Sequence, residues 1–380
     1  MKQHRPEVAD VIRTHQHDFL ARWSHVLSRE QKQALRALRD CRTAALGGHR
    51  YQCDRCDHRV LLYNSCRNRH CPKCRATARA QWLAERQAEL LPVPYFHVVF
   101  TLPQQIGRLA LQNPRRIYSL LFQAASETLL TIAADPKHLG ASIGFLAVLH
   151  TWGQNLHLHP HLHCVVPGGG LSPDGLRWIA CRKSFFLPVR VLSRLFRKKF
   201  LRALGTAFRN GELRNLDPSA FRALCQQAAC IEWVVYTKPP FGGPQRVLKY
   251  LARYTHRVAI SNHRLRALEN GRLSFDWKDY KHSNRNSTMT LDAVEFLRRF
   301  LLHILPSGLV RIRHFGFLAN RVRKQKLQMC RALLQTQHAP SSGDSPAAFT
   351  DPRLCPLCKI GRLLVVEVLG AESIAIQDTS

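Results

Sequence analysis

Apolar side chains recur at helical spacing over residues 10–40, where Val11, Ile12, Phe19, Leu20 and Trp23 are followed by Leu35 and Leu38. The pattern is lost over 41–75, which are rich in Cys, His, Arg and Gly. It resumes as a helical run over 76–91, punctuated by Pro92 and Pro94. From Tyr95 the character changes. The β-branched and aromatic run Tyr95–Leu102 predicts a buried strand, and a helical stretch follows over about 105–134. Ile143–His150 and His159–Val166 read as two more strands. A basic helix is expected over Phe185–Leu204, a strand over Glu232–Lys238, and helices over 244–257, 291–305 and 319–334.

Strands with interposed helices predict an α+β protein with a sheet core. The pattern divides the chain into a helical, cysteine-bearing unit over 1–92, a longer unit over 93–336, and a tail over 337–380 that opens on a Pro-, Ser- and Gly-rich linker. No internal repeat is visible.

Charge narrows the partner. Of 380 residues, 57 are Lys or Arg and 25 are Asp or Glu, a formal net charge of +32. The hydrophobic share of 45% is that of an ordinary globular chain, so the basicity is not a disordered tail. Such self-repulsion is tolerated when a polyanion neutralises it, and nucleic acid is the expected partner. The longest apolar stretches, such as Ile143–Leu149, are far shorter than the roughly 20 residues that span a bilayer. The polar start Met1–Glu7 lacks a signal-peptide core. No membrane partner is expected, and the expected location is cytoplasmic.

There are 13 cysteines, with Cys41, Cys53, Cys56, Cys66, Cys71 and Cys74 close together. In a long basic chain of this kind, metal thiolates are a better reading than disulfides. Cys53-Asp-Arg-Cys56 and Cys71-Pro-Lys-Cys74 are two Cys-x-x-Cys knuckles, each offering two thiolates from a tight turn. As a pair they complete a tetrahedron for one zinc. Cys41, His49, Cys66 and His70 have the chemistry for a second zinc, although interleaved ligands can be partitioned in more than one way. The plainer alternative makes these two cysteines small core residues. Arg50, Arg55, Arg59, Arg67, Arg69 and Lys73 give the module a basic rim that suits DNA, with Arg67, Arg69 and Lys73 the expected contacts. Cys355-Pro-Leu-Cys358 resembles half a knuckle with no second pair after it.

Residues 157–163 read His-Leu-His-Pro-His-Leu-His. Strand alternation puts His157, His159, His161 and His163 on one face, with Leu158 and Leu162 on the other, although Pro160 can interrupt it. Two imidazoles at i and i+2 on a rigid strand can hold one divalent ion and leave positions open for substrate. Imidazoles alone suit zinc or iron. With an oxygen as third ligand, for which Gln154 is the candidate, magnesium or manganese bridging a phosphate becomes reasonable.

Lys249-Tyr250-Leu-Ala-Arg253-Tyr254-Thr-His256-Arg257 places two tyrosines at i and i+4, so both hydroxyls leave one helical face. Lys249, Arg253 and Arg257 suit phosphate contact. A tyrosine hydroxyl aligned near a metal is a competent nucleophile toward a phosphodiester and forms a covalent intermediate. Two tyrosines permit two successive strand transfers.

The His-Pro-His-Leu-His run ending at His163 resembles the His-hydrophobic-His signature of the HUH endonucleases, and Tyr250-x-x-x-Tyr254 resembles that superfamily's two-tyrosine motif. The cysteine region, from Cys41-Arg-Thr-Ala-Ala-Leu-Gly-Gly-His49 to Cys66-Arg-Asn-Arg-His-Cys-Pro-Lys-Cys74, resembles the zinc-binding domain of bacterial rolling-circle transposases. Together they resemble the insertion-sequence family called IS ninety-one, over residues 10–330. The resemblance implies a zinc-binding DNA-recognition domain followed by a ferredoxin-like nuclease domain with a central antiparallel sheet. It further implies a Mg2+ or Mn2+ ion at His161 and His163, attack by Tyr250 or Tyr254, and a 5′-phosphotyrosine in single-stranded or hairpin DNA. The implied setting is a bacterial cytoplasm, with the protein on the nucleoid when bound to DNA. Two alternatives stand beside it: a rolling-circle plasmid replication initiator, and a zinc-dependent DNA-binding regulator without catalysis, which leaves the histidines and tyrosines idle.

Overall fold

The N-terminal helical pattern is two helices. In a computed structural model that describes residues 5–74, 89–182, 186–241, 258–279, 285–335 and 353–371, α1 spans Val8–Trp23 and α2 spans Arg29–Asp40. The break falls at Ser28, whose side chain accepts from the Gln31 N–H while the Gln31 side chain returns to Ser28, a reciprocal cap that starts a new helix. Short strands β1 (Gly48–Cys53) and β2 (Arg59–Tyr63) follow. The helices expected over 76–91 and 244–257 fall wholly or mostly on residues outside the described ones.

Strand β3 (Tyr95–Thr101) leads to α3 (Gln104–Gln112) and α4 (Pro114–Ala134). The stretch expected as one helix divides at Asn113 because Pro114 has no N–H to continue α3, yet suits the first turn of α4. Helix α4 is long and apolar enough to cross a membrane by length and composition, but 67% of its apolar window is buried in the protein. Then come β4 (Gly144–Trp152), β5 (Leu158–Pro167), β6 (Gly169–Leu171), β7 (Trp178–Ala180), α5 (Val189–Arg209), α6 (Pro218–Cys230) and β8 (Val235–Phe241). Helix α5 starts after Pro188, later than its expected start at Phe185, a residue outside the described ones. Beyond residue 258 lie β9 (Leu265–Glu269), β10 (Arg272–Asp279), β11 (Arg285–Asp292), α7 (Ala293–Leu301), β12 (Ile312–Gly316), α8 (Arg323–Gln335) and β13 (Leu363–Leu369).

The central layer is an antiparallel five-stranded sheet in the order β12-β4-β5-β3-β8. With the N-terminal cysteine-bearing region, this is the expected α+β class. Alternation along the strands sorts the two faces. Phe96, Val98, Phe100, Phe145, Ala147, Leu149, Leu162, Cys164 and Val166 turn to one side and pack with α3, α4 and α5 in the largest buried cluster. On the other side, Tyr95, Leu146, Val148 and Val165 pack with Trp178, Phe317 and residues of α8. The remainder of that second face carries His97, His150, His161 and His163. Gly316, at φ +60°, lets β12 meet β4, since a Cβ there would lie 1.8 Å from the Ile143 carbonyl oxygen.

The N-terminal helices do not stand apart. Phe19, Leu35 and Leu38 share a buried cluster with Phe275, Phe296 and Phe300 of the β9–β11 sheet and α7. Gln31 Nε2 donates to the Leu301 carbonyl at 2.8 Å. The tail also returns: β13 pairs with β1, giving a second sheet of order β13-β1-β2.

Candidate metal centres and catalytic site

Two groups of four thiols converge, partitioned differently from expectation. Cys41, Cys66, Cys71 and Cys74 form one group, and Cys53, Cys56, Cys355 and Cys358 form the other, each with its sulfurs within 4.8 Å of one another. In the first, Cys41 Sγ lies 3.5 Å from Cys74 Sγ and 3.6 Å from Cys71 Sγ, and Cys66 Sγ lies 3.6 Å from Cys74 Sγ. A tetrahedral zinc with Zn–S bonds of about 2.3 Å spaces its sulfurs by about 3.8 Å, and a disulfide of about 2.05 Å is excluded by the same distances. The donor set therefore fits zinc.

The expected pairing of Cys53 and Cys56 with Cys71 and Cys74 is thus corrected: the two knuckles serve different groups. Cys41 and Cys66 join Cys71 and Cys74, while His49 and His70 join neither. His70 is buried and its Nε2 accepts from the Leu305 N–H at 3.3 Å, so its ring anchors a backbone turn. His49 lies on β1, opposite Leu62 and Val368, with its ring 6.1 Å from that of Tyr51.

The expected DNA-contacting cations also separate. Arg69 Nη1 donates to the Leu309 carbonyl at 2.8 Å, and its Nη2 donates to Leu305 and Pro306 at 3.0 and 2.7 Å. Its guanidinium is committed to closing the chain after α7, and burial pushes its pKa down; a DNA contact from Arg69 is corrected to an internal one. Lys73 Nζ lies 2.5 Å from Glu7 Oε2 at the cap of α1. Arg67 is exposed, at φ +50°. Lys249, Arg253 and Arg257 lie outside the described residues, as do Tyr250 and Tyr254.

On the open part of the sheet's second face, His150, His161 and His163 offer ring nitrogens within 4.8 Å of one another. Pairing explains the convergence. His161 is directly opposite His150 across the β4–β5 ladder, and His163 follows two residues later on the same face of β5. The rings of His150 and His163 are 4.5 Å apart and those of His161 and His163 are 4.7 Å apart. His150 packs on Trp152 with centroids 4.6 Å apart and 21° between planes. Gln154, the expected third ligand, sits in the turn after β4, where its backbone carbonyl accepts from Arg264 Nη2 at 2.7 Å, and His150 is the third histidine of the group. His157 and His159 also stay outside, since the chain enters β5 only at Leu158 and His159 is exposed.

Tautomers follow from the partners. His161 Nδ1 lies 2.5 Å from the His159 carbonyl oxygen, which can only accept, so Nδ1 carries the proton and Nε2 offers its lone pair. His163 Nδ1 is bonded to His97 Nε2 at 2.7 Å, and with His163 as the donor its Nε2 is left for the same task. Burial, then the nearby Lys238 and His161, pushes the His97 pKa down to about 3, so that ring is neutral. Beneath the site, His303 Nδ1 bonds Thr151 Oγ1 at 3.2 Å and its Nε2 bonds the Leu156 carbonyl at 3.0 Å. Three imidazoles on paired rigid strands are a donor set for one divalent ion with positions left open.

Residues 144–326 match the family model Y2_Tnp, described as "Putative transposase", and residues 11–102 match Zn_Tnp_IS91, described as "Transposase zinc-binding domain". The chain is 54% identical over 385 residues to "Putative transposase y4qJ" of Sinorhizobium fredii (strain NBRC 101917 / NGR234), covering 97% of this chain and 96% of that protein. It is 30% identical over 376 residues to "Transposase for insertion sequence element IS801" of Pseudomonas savastanoi pv. phaseolicola, covering 92% and 88%. Among solved structures, the conjugative relaxase TrwC in complex with oriT DNA, in a metal-bound form, aligns with a TM-score of 0.24 and 11% identity, over 42% of this chain and 70% of that one.

Proposed function

Because the chain belongs to the insertion-sequence transposases that carry the IS91-type zinc-binding domain, we propose that it transposes DNA by nicking and rejoining single strands through a covalent phosphotyrosine. The observation that carries this reading is the group of His150, His161 and His163, which brings three ring nitrogens together on two paired strands of the sheet. The last described residue before the tyrosines is Phe241 of β8, opposite Tyr95 on β3. The described residues that follow the tyrosines include Ala259 and Ile260, in the same buried cluster as Trp152, on which His150 packs.

In this reading His150, His161 and His163 would hold one divalent ion, with Mg2+ or Mn2+ suiting the site once phosphate and water supply the oxygens that three imidazoles lack, and the ion would polarise the scissile phosphate. Tyr250 or Tyr254 attacks phosphorus through Oη. The bond from phosphorus to the 3′ oxygen breaks, leaving a 5′-phosphotyrosine and a 3′-hydroxyl, and the phenol proton leaves to solvent as the departing oxygen gains one. The phosphotyrosine keeps the energy of the diester, so the second tyrosine or a 3′-hydroxyl can complete rejoining without ATP. Lys249, Arg253 and Arg257 meet the phosphates, and exposed Arg67 on the zinc-bearing module meets DNA at the element's ends. The module's zinc is held by Cys41, Cys66, Cys71 and Cys74.

The test uses single-stranded oligonucleotides carrying the element ends, manganese, and a search for an SDS-resistant protein–DNA adduct. The wild type should form it, and Tyr250→Phe with Tyr254→Phe should not. Replacing His161 and His163 by Ala should abolish cleavage and leave salt-sensitive DNA binding in place. No adduct with authentic ends, or an adduct that survives loss of both tyrosines, overturns the mechanism in favour of a non-catalytic DNA-binding protein.

A further inference from the structure

We propose that the chain carries a second zinc ion, in a site divided between its two ends: Cys53 and Cys56 from the β1–β2 turn, Cys355 and Cys358 from the turn before β13. The match to the zinc-binding domain ends at residue 102, so half of this ligand set lies outside it. The inference does not rest on the nuclease reading.

The distances are those of a tetrathiolate. Cys53 Sγ lies 3.8 Å from Cys358 Sγ, and Cys56 Sγ lies 3.7 Å from Cys355 Sγ, against the about 3.8 Å expected around tetrahedral zinc. Each turn also aims backbone N–H groups at its own sulfur, as a thiolate requires. Arg55 N–H approaches Cys53 Sγ at 3.4 Å, and Gly361 N–H approaches Cys358 Sγ at 3.3 Å. Gly361 is the residue the close approach demands, since a Cβ there would lie 2.5 Å from Cys53 Sγ and 2.6 Å from Asp54 Oδ1.

The two turns are also joined as one structure around the thiols. Asp54 N–H donates to the Arg362 carbonyl at 3.1 Å, and Arg362 N–H returns to Asp54 Oδ1 at 2.8 Å. The ladder continues from Cys53 opposite Leu363 to Gly48 opposite Leu369, and Arg50 Nη1 meets Glu367 Oε2 at 2.7 Å. Strand β13 is mostly solvent-exposed and has little core of its own: Leu364, Val365, Val366 and Val368 are each about half exposed or more. A strand with so little burial cannot repay the entropy of closing a chain of this length on packing alone, and a metal supplies the missing term. The zinc therefore fastens the C-terminal hairpin to the N-terminal module.

Metal counting on the full chain tests this. In a His161→Ala, His163→Ala background, which keeps the histidine group from adding to the count, the otherwise wild-type chain should hold two zinc ions. Cys355→Ser with Cys358→Ser should hold one, Cys53→Ser with Cys56→Ser should hold one, and all four substitutions together should still hold one, because both pairs serve the same ion. Cys41→Ser with Cys66→Ser should lose the other ion only. Because a variant can misfold, the wild type is also loaded with cobalt: two equivalents should be needed to saturate the thiolate-to-cobalt absorption. A single equivalent, two zinc ions retained without Cys355 and Cys358, or none left in the four-fold variant overturns the proposal.

Discussion

His97 Nε2 lies 2.7 Å from His163 Nδ1, with the two rings within 6° of parallel. A neutral His163 that binds an ion through Nε2 must carry its proton on Nδ1, and His97 is placed to accept it. His97 thus touches neither ion nor substrate but selects the tautomer of a residue that does. His97→Ala should raise the manganese concentration needed for half-maximal cleavage by about 10- to 100-fold, the usual cost of losing such a partner. DNA affinity without metal should be unchanged. A fall in maximal rate that excess manganese does not restore would show that His97 does something other than orient His163.

The third ligand gives a sharper contrast. His150→Ala should lower cleavage at least about 100-fold, as expected when an ion loses one of three protein ligands. Gln154→Ala should stay within a few-fold of wild type, since the three histidines converge without it. Oligonucleotide cleavage at fixed manganese decides between them, and the reverse order would restore Gln154 as the ligand.

That contrast marks where the sequence is readable. The alternation of His161, Leu162 and His163 is local, and the structure sorts those side chains onto opposite faces as the period of a strand requires. His150 closes a run that looks like ordinary buried strand, and only the register that sets it opposite His161 makes it a partner. The short connection between two strands was the available signal, because it makes them a hairpin whose facing residues can be aligned. The knuckles behave alike. Each Cys-x-x-Cys is visible in the sequence, but its partner depends on β13 reaching β1 across most of the chain. The β9–β11 sheet and α6 lie outside the sequence reading, although β10 alternates legibly in Leu273, Phe275 and Trp277; β11, which buries none of its residues fully, gives little apolar signal.

Arg67 and Arg69, two residues apart, should respond in opposite ways. Arg69→Ala removes three hydrogen bonds to backbone carbonyls from a half-buried charge and should lower unfolding stability by about 2 kcal/mol or more. Arg67→Ala should leave thermal stability near wild type and weaken DNA binding, with a salt dependence shallower by about one unit in the log–log slope. Thermal melts and binding isotherms at several salt concentrations separate the two.

Glu295 supplies a pH dependence in the scaffold beneath the histidines. Hydrogen bonds from Arg298, with Arg299 adding to them, hold its carboxyl at about 2 instead of an ordinary 4.5. Arg298 Nε reaches it at 2.6 Å and Arg299 Nε at 2.7 Å, while Arg299 Nη1 extends to the Asn155 carbonyl in the β4–β5 turn at 3.4 Å. A carboxyl with a depressed folded-state pKa binds fewer protons folded than unfolded below pH 4.5, so its stabilisation is fully present above 4.5 and lost as pH falls toward 2. Glu295→Gln should therefore reduce stability at pH 7, and the difference from wild type should shrink steadily between about pH 4.5 and 2. The carboxyl is 32% exposed, so water screens the pairs and the effect at pH 7 should be modest. Denaturant unfolding of both proteins across that window measures it, and a difference that stays constant with pH would show that the Glu295 charge contributes nothing to folding.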